Sequence, residues 1–306
     1  MPTTADRHTP VLAARCVELL APAATGVVVD ATLGLGGHTE ALLTAYPELT
    51  VIGVDRDPEA LALAVARLAP FGARFRPLHA TYDVVAELGS VDGVLMDLGV
   101  SSLQLDEAYR GFSYAQDAPL DMRMDSSVGI SAAELLATAS QGEIARILSS
   151  YGEEKFAARI ARAIVEHRER EPLSRTSQLV QLVRESIPAA ARRTGGNPSK
   201  RTFQALRVAV NDELTILERA VPAALAALRP SGRLVVMSYQ SLEDRIVKRA
   251  MASVATTHVV PGLPIEPPTP AYRMLTRGAE RANEQEIAAN PRAASVRLRA
   301  IERSRP

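Results

Sequence analysis

Three aspartates that each close an apolar run, and one glycine-rich turn, are the residues with chemistry to offer. In Val27-Val28-Val29-Asp30-Ala31-Thr32-Leu33-Gly34-Leu35-Gly36-Gly37-His38 the turn stands between a buried strand and a helix, where backbone passes close to a ligand. A nicotinamide enzyme usually spells this turn G-x-G-x-x-G, because a pyrophosphate rests on the helix N-terminus. Here Thr39 holds the third glycine position and an acid, Asp30, ends the strand, which suits a cationic sulfonium better. Asp55 ends a second run, at the place where a carboxylate accepts both ribose hydroxyls of an adenosine, and either cofactor would use it. Asp97 ends a further run and is followed by Gly99, Ser101, Ser102 and Gln104, at the sheet edge where open α/β folds react. No Gly-Lys-Ser/Thr follows the glycines, so this is not a P-loop.

Taken singly, each glycine is an ordinary tight turn and Asp55 a helix cap ahead of Pro58; in strand-loop-helix order they make a cofactor site. Tyr82 is placed either to lie beside an adenine or to pack. His38 caps the loop or touches the cofactor. The remaining histidines, His8, His79, His167 and His258, lack ligand spacing, and the single Cys16 can form neither a disulfide nor a thiolate zinc site. No metal is expected.

These strand ends come together if they belong to one parallel sheet. The first third alternates short apolar runs with amphipathic stretches, the βαβ pattern. Strands are expected over Gly26–Thr32, Thr50–Asp55, Ala73–Leu78 and Val91–Asp97, and helices over Gly37–Tyr46 and Pro58–Leu68. After Ser102 the alternation stops, and Ser131–Glu185 reads as helical. A loop with Arg192, Arg193, Gly195, Gly196 and Pro198 follows, then a helical pattern from about Thr202 to Leu228 that Pro222 kinks or divides. The α/β pattern resumes with a strand at Gly232–Tyr239 and a helix from Leu242 to about Ser253. A proline-rich extended loop, Pro261–Pro270, precedes a half-buried last strand, Ser295–Arg303. The expected architecture is α/β: a Rossmann-like, predominantly parallel sheet formed by 1–115 and 200–306, with an all-α domain, 116–199, inserted.

The 306 residues allow about two domains. With 35 basic and 35 acidic residues the formal charge is zero, so any nucleic-acid contact must come from a local basic face. The absence of tryptophan disfavours a long base-stacking platform. No apolar run approaches the roughly 20 residues of a membrane span. Met1–His8 lacks the layout of a secretory signal, and a cytoplasmic protein without a membrane partner is expected.

Further motifs are His8-Thr9-Pro10-Val11-Leu12, Val54-Asp55-Arg56-Asp57, the stretch Asp97–Gln104, Arg110-Gly111-Phe112-Ser113 and Pro119–Asp125. Later come Arg201-Thr202-Phe203-Gln204-Ala205-Leu206-Arg207, Asn211, Ser241-Leu242-Glu243-Asp244-Arg245 and Asn290-Pro291-Arg292. On these, nearly end to end, the chain closely resembles the small-subunit ribosomal RNA methyltransferase H family. The resemblance implies a class I methyltransferase that uses S-adenosylmethionine, releases S-adenosylhomocysteine, and makes N4-methylcytidine in 16S rRNA of the small ribosomal subunit. The implied target is C1402, in the decoding centre near the P site. Carried over position by position, it implies that Gly36, Gly37, His38, Asp55, Tyr82, Asp97 and Gln104 contact the cofactor. The chain departs from the family at Ser238-Tyr239-Gln240, where many members read Ser-Phe-His. Gln240 cannot exchange protons.

In such an enzyme Asp97 is the candidate catalytic residue, accepting a hydrogen bond from the exocyclic amine and stabilising the charge that develops on it; the alternative is that it only binds the cofactor. Methylation at carbon five would need an activated cysteine, and Cys16 is far in sequence from this edge. Arg192, Arg193, Lys200, Arg201 and Arg207, around a Gly-Gly-Asn-Pro loop, are the first candidates for RNA contact, and Arg245, Lys248 and Arg249 the second. Asp121 and Asp125 flank Arg123 as an ion-pair brace, while Phe112 or Tyr114 either holds a flipped base or packs in a core. A nicotinamide-dependent oxidoreductase and a catalytically idle RNA-binding assembly factor remain as alternatives.

Overall fold

A computed structural model of the chain describes residues 10–189, 197–256 and 270–305. Its strands are β1 (Val27–Asp30), β2 (Thr50–Asp55), β3 (Phe75–His79), β4 (Val91–Asp97), β5 (Leu228–Ser238), β6 (Tyr272–Met274) and β7 (Arg297–Arg303). The helices beside the first strands are α1 (Ala13–Leu20), α2 (Gly37–Ala45) and α3 (Pro58–Leu68). Those that follow are α4 (Ser102–Asp106), α5 (Ala132–Thr138), α6 (Gln141–Gly152), α7 (Ala157–Arg168), α8 (Thr176–Ser186) and α9 (Ser199–Asn211). The last are α10 (Glu213–Ala227), α11 (Ser241–Ala255) and α12 (Glu284–Ala289). Arg192, Arg193, His8, His258 and nearly all of the expected loop 261–270 lie outside the described residues.

The chain divides into two compact units, Met1–Gly99 with Leu214–Pro306, and Val100–Glu213. The first holds a seven-stranded sheet of order β3-β2-β1-β4-β5-β7-β6. The five strands from β3 to β5 are parallel, and β7 runs antiparallel between β5 and β6. This is the mostly parallel, Rossmann-like α/β sheet expected. Successive residues of β1 show why helices cover both faces. Val28 joins a buried cluster with Leu20, Leu42 and Leu68 of α1, α2 and α3, whereas Val29 joins the opposite one, with Leu217, Val221, Val247 and Met251 of α10 and α11. Connections leave β1 toward β2 on one side and β4 on the other, which opens a crevice at the carboxyl ends.

The second unit is helical and wider at both ends than 116–199. Its core explains the width, because Phe203, Ala205 and Leu206 of α9 are buried in one cluster with Ile144, Leu148, Ile160 and Leu179 of α6, α7 and α8. Buried Asn211 ties α9 to the incoming segment: its Oδ1 accepts the Met124 N–H at 2.8 Å and its Nδ2 donates to the Met122 carbonyl at 2.7 Å.

The expected break at Pro222 is not where the chain turns. α9 and α10 part at Asp212, in the left-handed region at φ 51°, and Pro222 sits inside α10. Pro222 and Glu218, the residue whose carbonyl loses its partner, both lie on the exposed side of α10, where the missing backbone bond costs least. The turn Pro230-Ser231-Gly232 lies within β5 as an irregularity, where pairing jumps from Val91–Leu228 to Gly93–Arg233. Among the described residues no helix is long and apolar enough to cross a membrane.

Candidate active site at the carboxyl edge of the sheet

β1 passes to α2 through a turn that needs its glycines for internal reasons. Gly34 and Gly36 have φ of 53° and 78°, where a side chain is strained, and the Gly36 N–H donates to the Leu33 carbonyl at 2.8 Å. A Cβ on Gly37, the first residue of α2, would stand 3.2 Å from Pro10. Thr39 stands in place of a third glycine, and its hydroxyl donates to Asp30 at 2.7 Å, a bond that glycine could not make. Asp30 is 1% exposed. Buried there, it braces the turn through that bond. Burial raises its carboxyl above the ordinary range, while His38 and bonds from Thr39 and Thr32 pull it back.

Asp55, at the end of β2, is tied to the same turn. Its Oδ2 accepts the Gly34 N–H at 2.7 Å and its Oδ1 the Asp57 N–H at 2.8 Å. It is not the cap of α3. That cap is Asp57, which accepts from the N–H groups of Glu59 and Ala60. Burial pushes the Asp55 carboxyl up to about 6 against the two backbone bonds that favour its charge, with the charges of Asp57 and Asp30 adding to the rise.

Asp97 ends β4, and its backbone N–H donates to the Thr32 hydroxyl. The Tyr239 hydroxyl donates to Asp97 Oδ1 at 2.7 Å, and His38 Nδ1 stands 3.7 Å from Oδ2. His38 Nε2 donates to the Val11 carbonyl at 2.8 Å, which fixes the ring. Asp55, Asp30 and Asp97 thus close three neighbouring strands, β2, β1 and β4, with His38 between two of them. An edge of this charge attracts a cation and repels a diphosphate.

Tyr82 opens a short turn after β3, two residues beyond Ala80, whose N–H donates to the Asp55 carbonyl at 3.1 Å. It packs against the cluster that holds Val54 and Val85. Gln104 belongs to the other unit. Its Oε1 accepts the Ser101 N–H at 3.0 Å while the Ser101 hydroxyl accepts the Gln104 N–H, a capping box at the start of α4. Of the basic candidates, Lys200 and Arg201 are exposed at the start of α9, with Arg201 donating to the Glu153 carbonyl at 3.1 Å. Arg207 is held by Glu213 through bonds of 2.7 and 2.9 Å, both side chains largely buried. Arg245, Lys248 and Arg249 are exposed on α11. Asp121 and Arg123 form a two-bond ion pair, whereas Asp125 accepts from Ser127. Tyr114 packs edge-on against Phe203 at 6.0 Å, and Phe112 is 7% exposed.

Sequence reasoning missed Thr32 and Tyr239 as parts of this edge, and marked Thr39 only as a departure from the glycine pattern. The MraW methylase family's sequence profile matches residues 5–304. A ribosomal RNA small subunit methyltransferase H of Saccharopolyspora erythraea is 61% identical, with 97% of this chain and 94% of that protein covered. Its namesake from Streptomyces avermitilis is 60% identical with 98% of each covered. Among solved structures, an rRNA methylase from Streptococcus thermophilus superposes with a TM-score of 0.43 at 12% identity, covering 95% of both chains. The family match removes the nicotinamide oxidoreductase alternative. The chain belongs to the MraW methylase family and is a methyltransferase.

Proposed function

We propose that the chain methylates the exocyclic N4 amine of a cytidine in 16S rRNA of the small ribosomal subunit, C1402 in the decoding centre, and that it does so in the cytoplasm. The observation that carries this reading is identity of 61% along nearly the whole chain to a relative named for small-subunit rRNA methylation. The edge chemistry agrees with it. S-adenosylmethionine supplies a methyl group on a cationic sulfur, and the acid-rich edge with its sharp glycine turn fits an adenosyl sulfonium. Gly36, Gly37, His38, Tyr82, Asp97 and Gln104 are assigned to it by resemblance, and Asp55 accepts its ribose hydroxyls.

The cytosine amine is a weak nucleophile because its lone pair is delocalised into the ring. Asp97 orients it by accepting one of its N–H bonds and counters the positive charge that grows on nitrogen as the methyl arrives. No covalent enzyme intermediate and no metal are needed. Incubation with unmethylated small subunits, followed by nucleoside mass spectrometry, should yield N4-methylcytidine. A 5-methylcytidine product would overturn the chemistry, and no product would leave an RNA-binding factor without activity.

The helical unit recognises the substrate in this reading; of its described basic candidates Lys200 and Arg201 are exposed, whereas Arg207 is held by Glu213. Neutralising Lys200 and Arg201 should weaken RNA binding and lower the slope of log affinity against log salt by about 1 to 2. A slope equal to that of the unaltered protein would remove them from the interface.

A further inference from the structure

We propose that Tyr239 is a positioning residue for Asp97, its phenol fixing the orientation and the ionised state of the carboxylate that serves methyl transfer. The proposal rests on the reading of Asp97 given above. Its basis is the sheet. Met237 pairs with Asp97 in register across β4 and β5, so Tyr239, the first residue beyond β5, emerges at the same edge. Its hydroxyl reaches Asp97 Oδ1 at 2.7 Å. The tyrosine itself is held at both ends: its backbone N–H donates to Glu243 Oε2 at 2.9 Å, and its ring packs against the buried cluster that includes Met237 and Cys16. Glu243 also accepts the Gln240 N–H at 3.1 Å, so one carboxylate sets the whole turn into α11.

Burial, followed by the charge of Asp97 and the bond to it, pushes the phenol well above its ordinary range, so it stays neutral and acts as a donor. A donor to a carboxylate favours the charged form. Among the described residues, the ionisable groups near Asp97 include His38 from α2, Asp30 from β1 and Cys16 from α1, with Glu243 on the far side of Tyr239. Losing the hydrogen bond to Oδ1 therefore removes a donor that favours the carboxylate form.

Tyr239→Phe should lower kcat about tenfold, the scale of one hydrogen bond to a charged group, and move the acid limb of the kcat–pH profile to higher pH. KM for RNA and Kd for S-adenosylmethionine should stay within about twofold. In an Asp97→Asn background the same change should have no further effect on kcat, since Tyr239 acts through Asp97. An unchanged kcat, an unmoved acid limb, or a loss that multiplies with that of Asp97→Asn overturns the assignment while leaving Asp97 in place. Retained turnover in Asp97→Asn alone overturns the reading of Asp97, and the positioning role with it.

Discussion

Asp97→Asn is expected to lower kcat by a factor of about 100 to 1,000 while S-adenosylmethionine affinity changes by no more than a few-fold. Asparagine keeps the size and shape of the side chain. Its amide oxygen still accepts the Tyr239 hydroxyl, and the backbone N–H still donates to Thr32. Position is preserved and charge is lost. The amide nitrogen now stands where Oδ2 stood, a donor that cannot accept the cytosine N–H and offers nothing to a nitrogen becoming positive. Because that charge exists only as the methyl moves, the loss belongs in kcat and not in ground-state binding. Single-turnover kinetics beside calorimetric titration separate the two, and an equal loss in both would reduce Asp97 to a cofactor ligand.

How much of this edge could be read from sequence depended on whether the signal was local. Thr50–Asp55, Pro58–Leu68 and Val91–Asp97 were delimited to the residue, because each carries its own boundary: an apolar run closed by an acid, or an aspartate cap followed by proline. β3 begins two residues later than expected, at Phe75, and most of its side chains are exposed at or near the sheet edge, which leaves little hydrophobic pattern. β6 has three residues and gave no periodicity. The break at Asp212 was hidden because nothing in an aspartate announces a positive φ, whereas Pro222 advertises a break that an exposed position makes unnecessary.

The same distinction governs the site. Three aspartates were visible as strand ends, but Tyr239 meets Asp97 across 142 residues of chain, and only strand order reveals that β4 and β5 are neighbours. Some motif residues turn out to hold elements in place. Asp244 binds buried Arg299 through bonds of 2.7 and 3.2 Å, Glu243 sets the turn into α11, and Asn290 accepts the Arg292 N–H at the start of a short helical turn. They secure the turn after β5 that holds Tyr239 and the antiparallel strand β7 beside it.

Asp55 should make cofactor affinity fall as the medium is acidified through about pH 6. In the free protein burial holds its carboxyl near that value, above the ordinary 3.8, so the group gains a proton where most carboxylates remain charged. Two ribose hydroxyls donating to it favour the ionised form, which lowers its proton affinity in the complex. Linkage then fixes the sign: affinity is level above about pH 6, declines by up to tenfold per unit below it, and binding in that range releases a proton. The same shift acts in the opposite sense on the cofactor-free fold. A carboxyl whose folded value is raised favours folding most when protonated, so its contribution to stability is greatest below pH 3.8 and is lost as pH rises through about 6. Asp55→Asn should cost about 100- to 20,000-fold in S-adenosylmethionine affinity, the scale of two hydrogen bonds to a charged group, and should abolish the acid dependence. The loss has a second origin, because both carboxylate oxygens accept backbone N–H groups and an amide would turn a donor toward Gly34 or Asp57. Calorimetric titration from pH 5 to 8 in buffers of different ionisation enthalpy reads both the affinity and the proton. A level affinity with no proton released would take the ribose away from Asp55.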